Sequence, residues 1–211
     1  MAVLPERRQG IIFTHAKPYI PAPGTIGVCG AGAGVGTTHL CIAIANYLCS
    51  KFYSSTAYLE MNASHEIRAL AGRPDHGSSF RHQRIEYYPD MTLSYAQKIL
   101  AGHYRYYVLD FGCPGPHTLR EFDKCDHRLI IGCAGAWKAT QYRKFVEHTI
   151  NNPYREEDYL YIGNFMGCKN DIELLSHAFG ARVIPMPYLS DPFHVASSYF
   201  GFFEDILRRR H

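Results

Sequence analysis

The sequence predicts an α/β protein built in three layers around a doubly wound, mostly parallel sheet, and three observations carry that prediction. Short apolar runs alternate along the chain with segments of helical period, the pattern of parallel strands joined by crossover helices. Several of the runs are apolar at successive positions, as strands covered on both faces must be. A glycine-rich segment lies between the first such run and the first helical segment, where open parallel sheets bind their ligands.

Taken in order, residues 1–24 read as an extended lead-in that ends in the proline-rich stretch KPYIPAPG, and a single domain follows over 25–211. At ~100–200 residues per domain, a chain of 211 residues makes one unit with a sizeable core. Strands are expected at 25–30 (TIGVCG), 56–62 (TAYLEMN), 105–112 (RYYVLDFG), 128–135 (RLIIGCAG), 158–165 (DYLYIGNF) and 182–187 (RVIPMP). Between and after them the apolar spacing predicts helices at about 37–51, 64–71, 94–101, 117–124, 139–150, 170–179 and 191–209. Residues 72–93 fit no crossover helix and read as a loop or short hairpin at the sheet edge.

Hydrophobic residues make up 46% of the chain and charged residues 19%, which excludes a disordered or fibrous protein. The net charge of +3 has no basic stripe behind it, and its densest cluster is Arg208-Arg209-Arg210, so no specific nucleic-acid partner is expected. Seven cysteines (Cys29, Cys41, Cys49, Cys113, Cys125, Cys133 and Cys168) contain no Cys-x-x-Cys pair and read as reduced thiols. No apolar run of about 18 residues exists, and Pro5, Glu6, Arg7 and Arg8 stand where a signal peptide needs its apolar core; a cytoplasmic protein is expected.

Chemistry concentrates in Gly30-Ala31-Gly32-Ala33-Gly34-Val35-Gly36-Thr37-Thr38, which follows a strand and runs into a helix. Closely spaced glycines let backbone N–H groups point inward, and the helix N-terminus adds partial positive charge, so the product is an anion cradle suited to phosphate. The dinucleotide fingerprint G-x-G-x-x-G is not met, because its third glycine position is Val35 or Thr37. The P-loop pattern is met at Gly36 and Thr38, with Thr37 in the lysine slot. A tight turn without ligand competes with both.

On these residues the chain resembles the MinD/ParA family of P-loop ATPases, whose loop reads Lys-Gly-Gly-x-Gly-Lys-Thr-Thr. Gly34, Gly36 and Thr38 match it, and both lysines are missing, at Gly32 and Thr37. The likeness continues in order through Glu60 and Asn62 (for the paired acids after the second strand), Asp110 before a Gly/Pro turn, Asn164 at a later strand end, and Pro185 before the last helix. Among subgroups it is similar to the pilus-assembly localisation proteins of the TadZ and CpaE type. The resemblance implies ATP and Mg²⁺ as cofactors. It places the phosphates on Gly32, Ala33, Gly34, Val35, Gly36, Thr37 and Thr38, the adenine on Asn164, and Mg²⁺ on Thr38 and Asp110. Glu60, Asn62 and Asp110 fall at the catalytic positions. It further implies a homodimer and protein partners in a larger assembly, and an apolar, aromatic surface near Trp137 and Tyr142 is the expected contact.

The departures predict slow hydrolysis or none. Without the lysine the transferred charge has less stabilisation, and Asn62 cannot accept a proton from water. His39 and Lys138 stand where either can approach the phosphates in the lysine's place. Taken alone, Asp110 also reads as a solvated strand-end carboxylate, Asn164 as a turn cap, and Cys168-Lys169-Asn170-Asp171 as a loop leading to a helix N-cap at Asn170. The aromatic segment at 195–207 reads as a core-packing helix in preference to a membrane-surface anchor. The expected function is therefore an ATP-binding, at most slowly hydrolysing switch that positions or assembles a larger complex; a nucleotide-free scaffold is the alternative.

Overall fold

The computed structural model describes residues 20–71, 79–150 and 159–208. Most of the expected lead-in, part of the segment at 72–93, and Arg209 and Arg210 lie outside them. The chain forms one eight-stranded sheet: β1 (Gly24–Gly30), β2 (Thr56–Glu60), β3 (Phe80–His82), β4 (Ile85–Tyr88), β5 (Tyr106–Asp110), β6 (His127–Cys133), β7 (Tyr159–Asn164) and β8 (Val183–Pro185). The spatial order is β3-β4-β2-β5-β1-β6-β7-β8, with every pairing parallel except β3 with β4. The strand order reverses about β1, which places the glycine loop at the crevice where parallel sheets take ligands.

Among the described residues seven helices cover the two faces: α1 (Thr37–Phe52), α2 (Glu66–Ala71), α3 (Leu93–Leu100), α4 (Pro116–Phe122), α5 (Ala136–Ile150), α6 (Lys169–Phe179) and α7 (Phe200–Leu207). Strand alternation divides the core accordingly. Val28, Tyr58, Val108 and Ile131 pack beneath α1 with Leu40, Ile44 and Phe203, whereas Leu59, Leu109 and Ile130 meet Phe122, Tyr142 and Leu175 on the opposite face. Helix α1 is buried along most of its length, because it lies between the sheet and α7. This explains its nearly continuous apolar sequence CIAIANYL.

The edge segment meets the expectation of a short hairpin, and two other elements differ from the sequence expectation in instructive ways. The edge segment folds into the β3–β4 hairpin, and β4 extends the parallel sheet alongside β2. The last helix begins at Phe200, after a 3₁₀ turn over Ser197–Tyr199. Pro192 and the Asp191 carboxylate, which accepts from the Phe193 N–H at 2.8 Å, hold the preceding residues in a turn. Helix α6 is capped at Cys168 and not at Asn170: the Asp171 carboxylate accepts from the Gly167 and Cys168 N–H groups at 2.7 and 2.9 Å.

Candidate functional site

The loop between β1 and α1 is pinned at its start, where Gly30 N–H donates to Gly112 O at 2.6 Å and Ala31 N–H to Ile131 O at 2.8 Å. It then turns through two left-handed residues, Gly34 (φ +68°) and Gly36 (φ +96°), a conformation in which any side chain is strained. Open space surrounds the position a β-carbon would take at Gly34. Gly36 leads into α1, and no side chain caps the helix start. The first-turn N–H groups therefore face the loop as a cluster of donors.

Beside the loop stands Asp110, fully buried at the end of β5. Its carboxylate accepts from the Tyr58 hydroxyl at 2.6 Å and the Gly112 N–H at 2.9 Å, and it is hydrogen-bonded by Thr38. Burial pushes the Asp110 carboxyl above its ordinary range, and these three donors pull it part of the way back. The two residues assigned to a metal from sequence, Thr38 and Asp110, thus meet. Their oxygen donors suit a hard cation such as Mg²⁺.

Glu60 and Asn62 are occupied otherwise. Glu60 Oε1 accepts from Ser64 Oγ at 3.1 Å and the Ile67 N–H at 3.3 Å, and its Oε2 accepts from the Asp90 N–H at 3.1 Å. The carboxylate ties the start of α2 to the β4–α3 connection. Asn62 donates to Asp110 O at 3.1 Å and accepts from the Ser64 N–H at 2.9 Å, so both ends of its amide are engaged. Its outer side opens onto a cleft of about 450 Å³ that His65, Asp90, Cys113 and Thr118 also line.

Because burial raises the Glu60 carboxyl above its ordinary value of 4.5, the folded state binds this proton more tightly than the unfolded chain does. The stability contribution of the group is then full below that range and is lost as pH rises through the folded pKa. Glu60→Gln removes this dependence and also one acceptor. Its stability penalty against the wild type, read from denaturant melts between about pH 4 and pH 7, is expected to be largest at the acid end and to shrink toward neutrality. A pH-independent difference would contradict a raised Glu60.

The rest of the predicted set lies around the loop. Thr37 is buried with its hydroxyl against Gly30, so that the lysine slot on α1 holds an uncharged side chain. Gln141 of α5 covers Gly32, the position of the second missing lysine, so closely that a β-carbon there would meet its amide at 2.5 Å unless the side chain shifted. Asn164 sits at the end of β7, but its side chain is spent on the loop: Nδ2 donates to Val35 O at 3.0 Å and Oδ1 accepts from the Phe165 N–H at 2.9 Å. Of the two alternative cations, His39 turns to the Leu189 backbone, and burial lowers its pKa. Lys138 reaches the loop, with Nζ 3.4 Å from Ala33 O.

Sequence reasoning overlooked Tyr58 and Gln141. Tyr58 was recoverable in principle, since alternation puts it on the same face of β2 as Asp110 occupies on the neighbouring β5. Tyr142, expected on an aromatic contact surface, is instead 1% exposed, its hydroxyl against Ile130 O at 2.9 Å and Ile162 O at 3.1 Å. Trp137 alone of that pair faces outward, 81% exposed, with Phe165 and Met166 also exposed after β7. Among the described residues no cluster of three metal-ligating side chains occurs, and no helix is long and apolar enough to cross a membrane.

The strand order and the position of the loop match a known fold: comparison with solved structures finds it in MinD/ParA proteins. A plasmid partition protein from Borrelia burgdorferi B31, solved with AMPPNP bound, superposes with a TM-score of 0.61 at 15% identity over 88% of this chain and 97% of its own. A ParA family ATPase from Chlorobium tepidum gives 0.60 at 12% identity, covering 80% of this chain and 85% of its own. MinD from Aquifex aeolicus, solved in complex with MinC, gives 0.57 at 13% identity over 79% and 82%. No protein-family model and no curated protein sequence matches the chain.

Proposed function

We propose that this chain is an ATP-binding switch of the MinD/ParA type, at most a slow ATPase, that positions or assembles a larger complex. The observation that carries the reading is the glycine loop: its left-handed Gly34 and Gly36 lead into an uncapped helix, and the Thr38–Asp110 pair stands alongside. Thr38 and Asp110 would hold Mg²⁺, which when bound supplies charge neutralisation at the terminal phosphates. The helix start and the loop amides would bind those phosphates.

Slow turnover has its support in the neighbouring side chains. Glu60 and Asn62 are engaged by local N–H and hydroxyl groups, and Asp110 is held by three donors, so no free carboxylate stands at these positions to orient a water. Trp137, Phe165 and Met166 offer an apolar rim for a homodimer, as the family likeness suggests. The solved neighbours include a partition protein and a MinD bound to MinC, which agrees with a role in positioning through protein partners. The narrower likeness to pilus-assembly localisation proteins rests on the atypical loop alone.

Calorimetry with Mg²⁺-ATP tests the reading. The wild type is expected to bind with micromolar or weaker affinity, and Gly34→Val, which forces a β-branched residue into a left-handed conformation, is expected to bind at least tenfold more weakly. Phosphate release should stay well below the ~1 s⁻¹ of slow ordinary enzymes and should rise in Thr37→Lys combined with Asn62→Asp. One observation favours the scaffold reading: Asn164 and Thr37 already satisfy and fill parts of the loop. Absence of heat at millimolar ATP from folded wild-type protein would select it.

A further inference from the structure

We propose that Lys138, in the first turn of α5, supplies the phosphate-binding positive charge that the glycine loop lacks. The inference rests on the nucleotide-binding reading above and deepens it. In a P-loop the cation comes from the first helix after the loop, where its ammonium reaches the β- and γ-phosphates. Here that position is Thr37, buried against Gly30, and the next candidate on the same helix, His39, is turned to Leu189. No cation reaches the cradle from α1.

Lys138 approaches from the other side. Its ammonium lies 3.4 Å from the carbonyl of Ala33, in the middle of the loop. An ammonium carries three donors, so a single contact to Ala33 leaves two for the oxygens of a bound phosphate. Among the described residues no carboxylate lies within ion-pair distance of Lys138, and the charge is not neutralised within them.

Several contacts hold the group in place. The ammonium lies over the Trp137 ring, 4.9 Å from its centroid, which restrains a long flexible side chain. Gln141, three residues on and thus on the same helix face, packs against Gly32. One residue further, Tyr142 is anchored to the carbonyls of Ile130 and Ile162. The first two turns of α5 are therefore fixed to the loop and to the sheet beneath it. With the cation delivered from α5, Thr37 and Gly32 need not be lysines.

The test is Mg²⁺-ATP binding by the full chain, measured by calorimetry for the wild type, Lys138→Met, Lys138→Arg, and Lys138→Met combined with Thr37→Lys. Loss of one charge-assisted hydrogen bond predicts affinity ~10–150-fold weaker in Lys138→Met, with the melting temperature unchanged within about 2 °C. Lys138→Arg should retain most of the affinity, and Thr37→Lys should restore it in the Met background. AMP, which lacks the terminal phosphates, should lose less than ATP does. If the wild type binds ATP and Lys138→Met binds it equally well, Lys138 has no such role and the nucleotide reading stands. If folded wild type binds no ATP at millimolar concentration, the nucleotide reading falls and takes this proposal with it.

Discussion

Replacing Phe203 by alanine is expected to cost about 3–5 kcal/mol, the range for emptying a buried phenylalanine site. At roughly 2–4 °C per kcal/mol for a chain of this size, the melting temperature should fall by about 6–20 °C. Phe203 is fully buried in α7 and stacks on Tyr47 of α1 with ring centroids 4.9 Å apart, while Phe200 and Phe202 meet the same aromatic group from the sides. Lys51 and Glu204 pair across the two helices. This packing bears on the choice between core helix and membrane anchor, because Phe203, Ile206 and Leu207 are buried against the domain and are not available to lipid. Liposome sedimentation should accordingly show no salt-sensitive binding that depends on residues 199–211. A Phe203→Ala protein within about 1 kcal/mol of the wild type would mean that α7 is dispensable to the core.

Gly132→Ala is the second severe change expected. Gly132 lies in β6 beneath the ring of Tyr142, and a β-carbon there would overlap the ring itself. Overpacking of this kind costs about 1–3 kcal/mol. Displacing the ring also strands the hydroxyl from the carbonyls of Ile130 and Ile162, which adds about 1–3 kcal/mol. Denaturant melts of Gly132→Ala, of Tyr142→Phe and of the pair give a check. The penalties should be non-additive, since both changes act on the same contact. Simple additivity would show that α5 absorbs the extra carbon elsewhere.

Much of the fold was legible because its determinants are local or periodic. Short apolar runs such as TAYLE and YYVLD, set between segments of helical period, read as strands buried on both faces, and the glycine spacing before CIAIANYL marks a loop whose backbone is free to wrap. The resemblance to the MinD/ParA pattern set Thr38 beside Asp110, and the two are hydrogen-bonded in the fold. What escaped the sequence depends on contacts between distant segments. Asn62 occupies an acid's position in the pattern, yet its amide is used to brace Asp110 and Ser64. Asn164 ends the expected strand, but only the fold shows that its side chain bonds to Val35. A tyrosine suits surface and core equally well by composition. That Tyr142 is inside was decided by two strand carbonyls on β6 and β7, which no helical periodicity reports. The turn at Asp191 and Pro192 likewise overrode an apolar spacing that alone would have extended the last helix.

The two outermost strands have a consequence for how this molecule can associate with copies of itself. Each is only three residues long; β3 carries Arg81 and His82 on exposed positions, and β8 ends in Pro185, which has no N–H to offer. Brief, charged or proline-terminated margins are poor templates for an added strand. The sheet therefore closes itself to lateral growth in both directions, and fibre-like stacking of this chain by backbone pairing is disfavoured. Among the described residues, an ordered assembly is left to helix faces and strand-end loops.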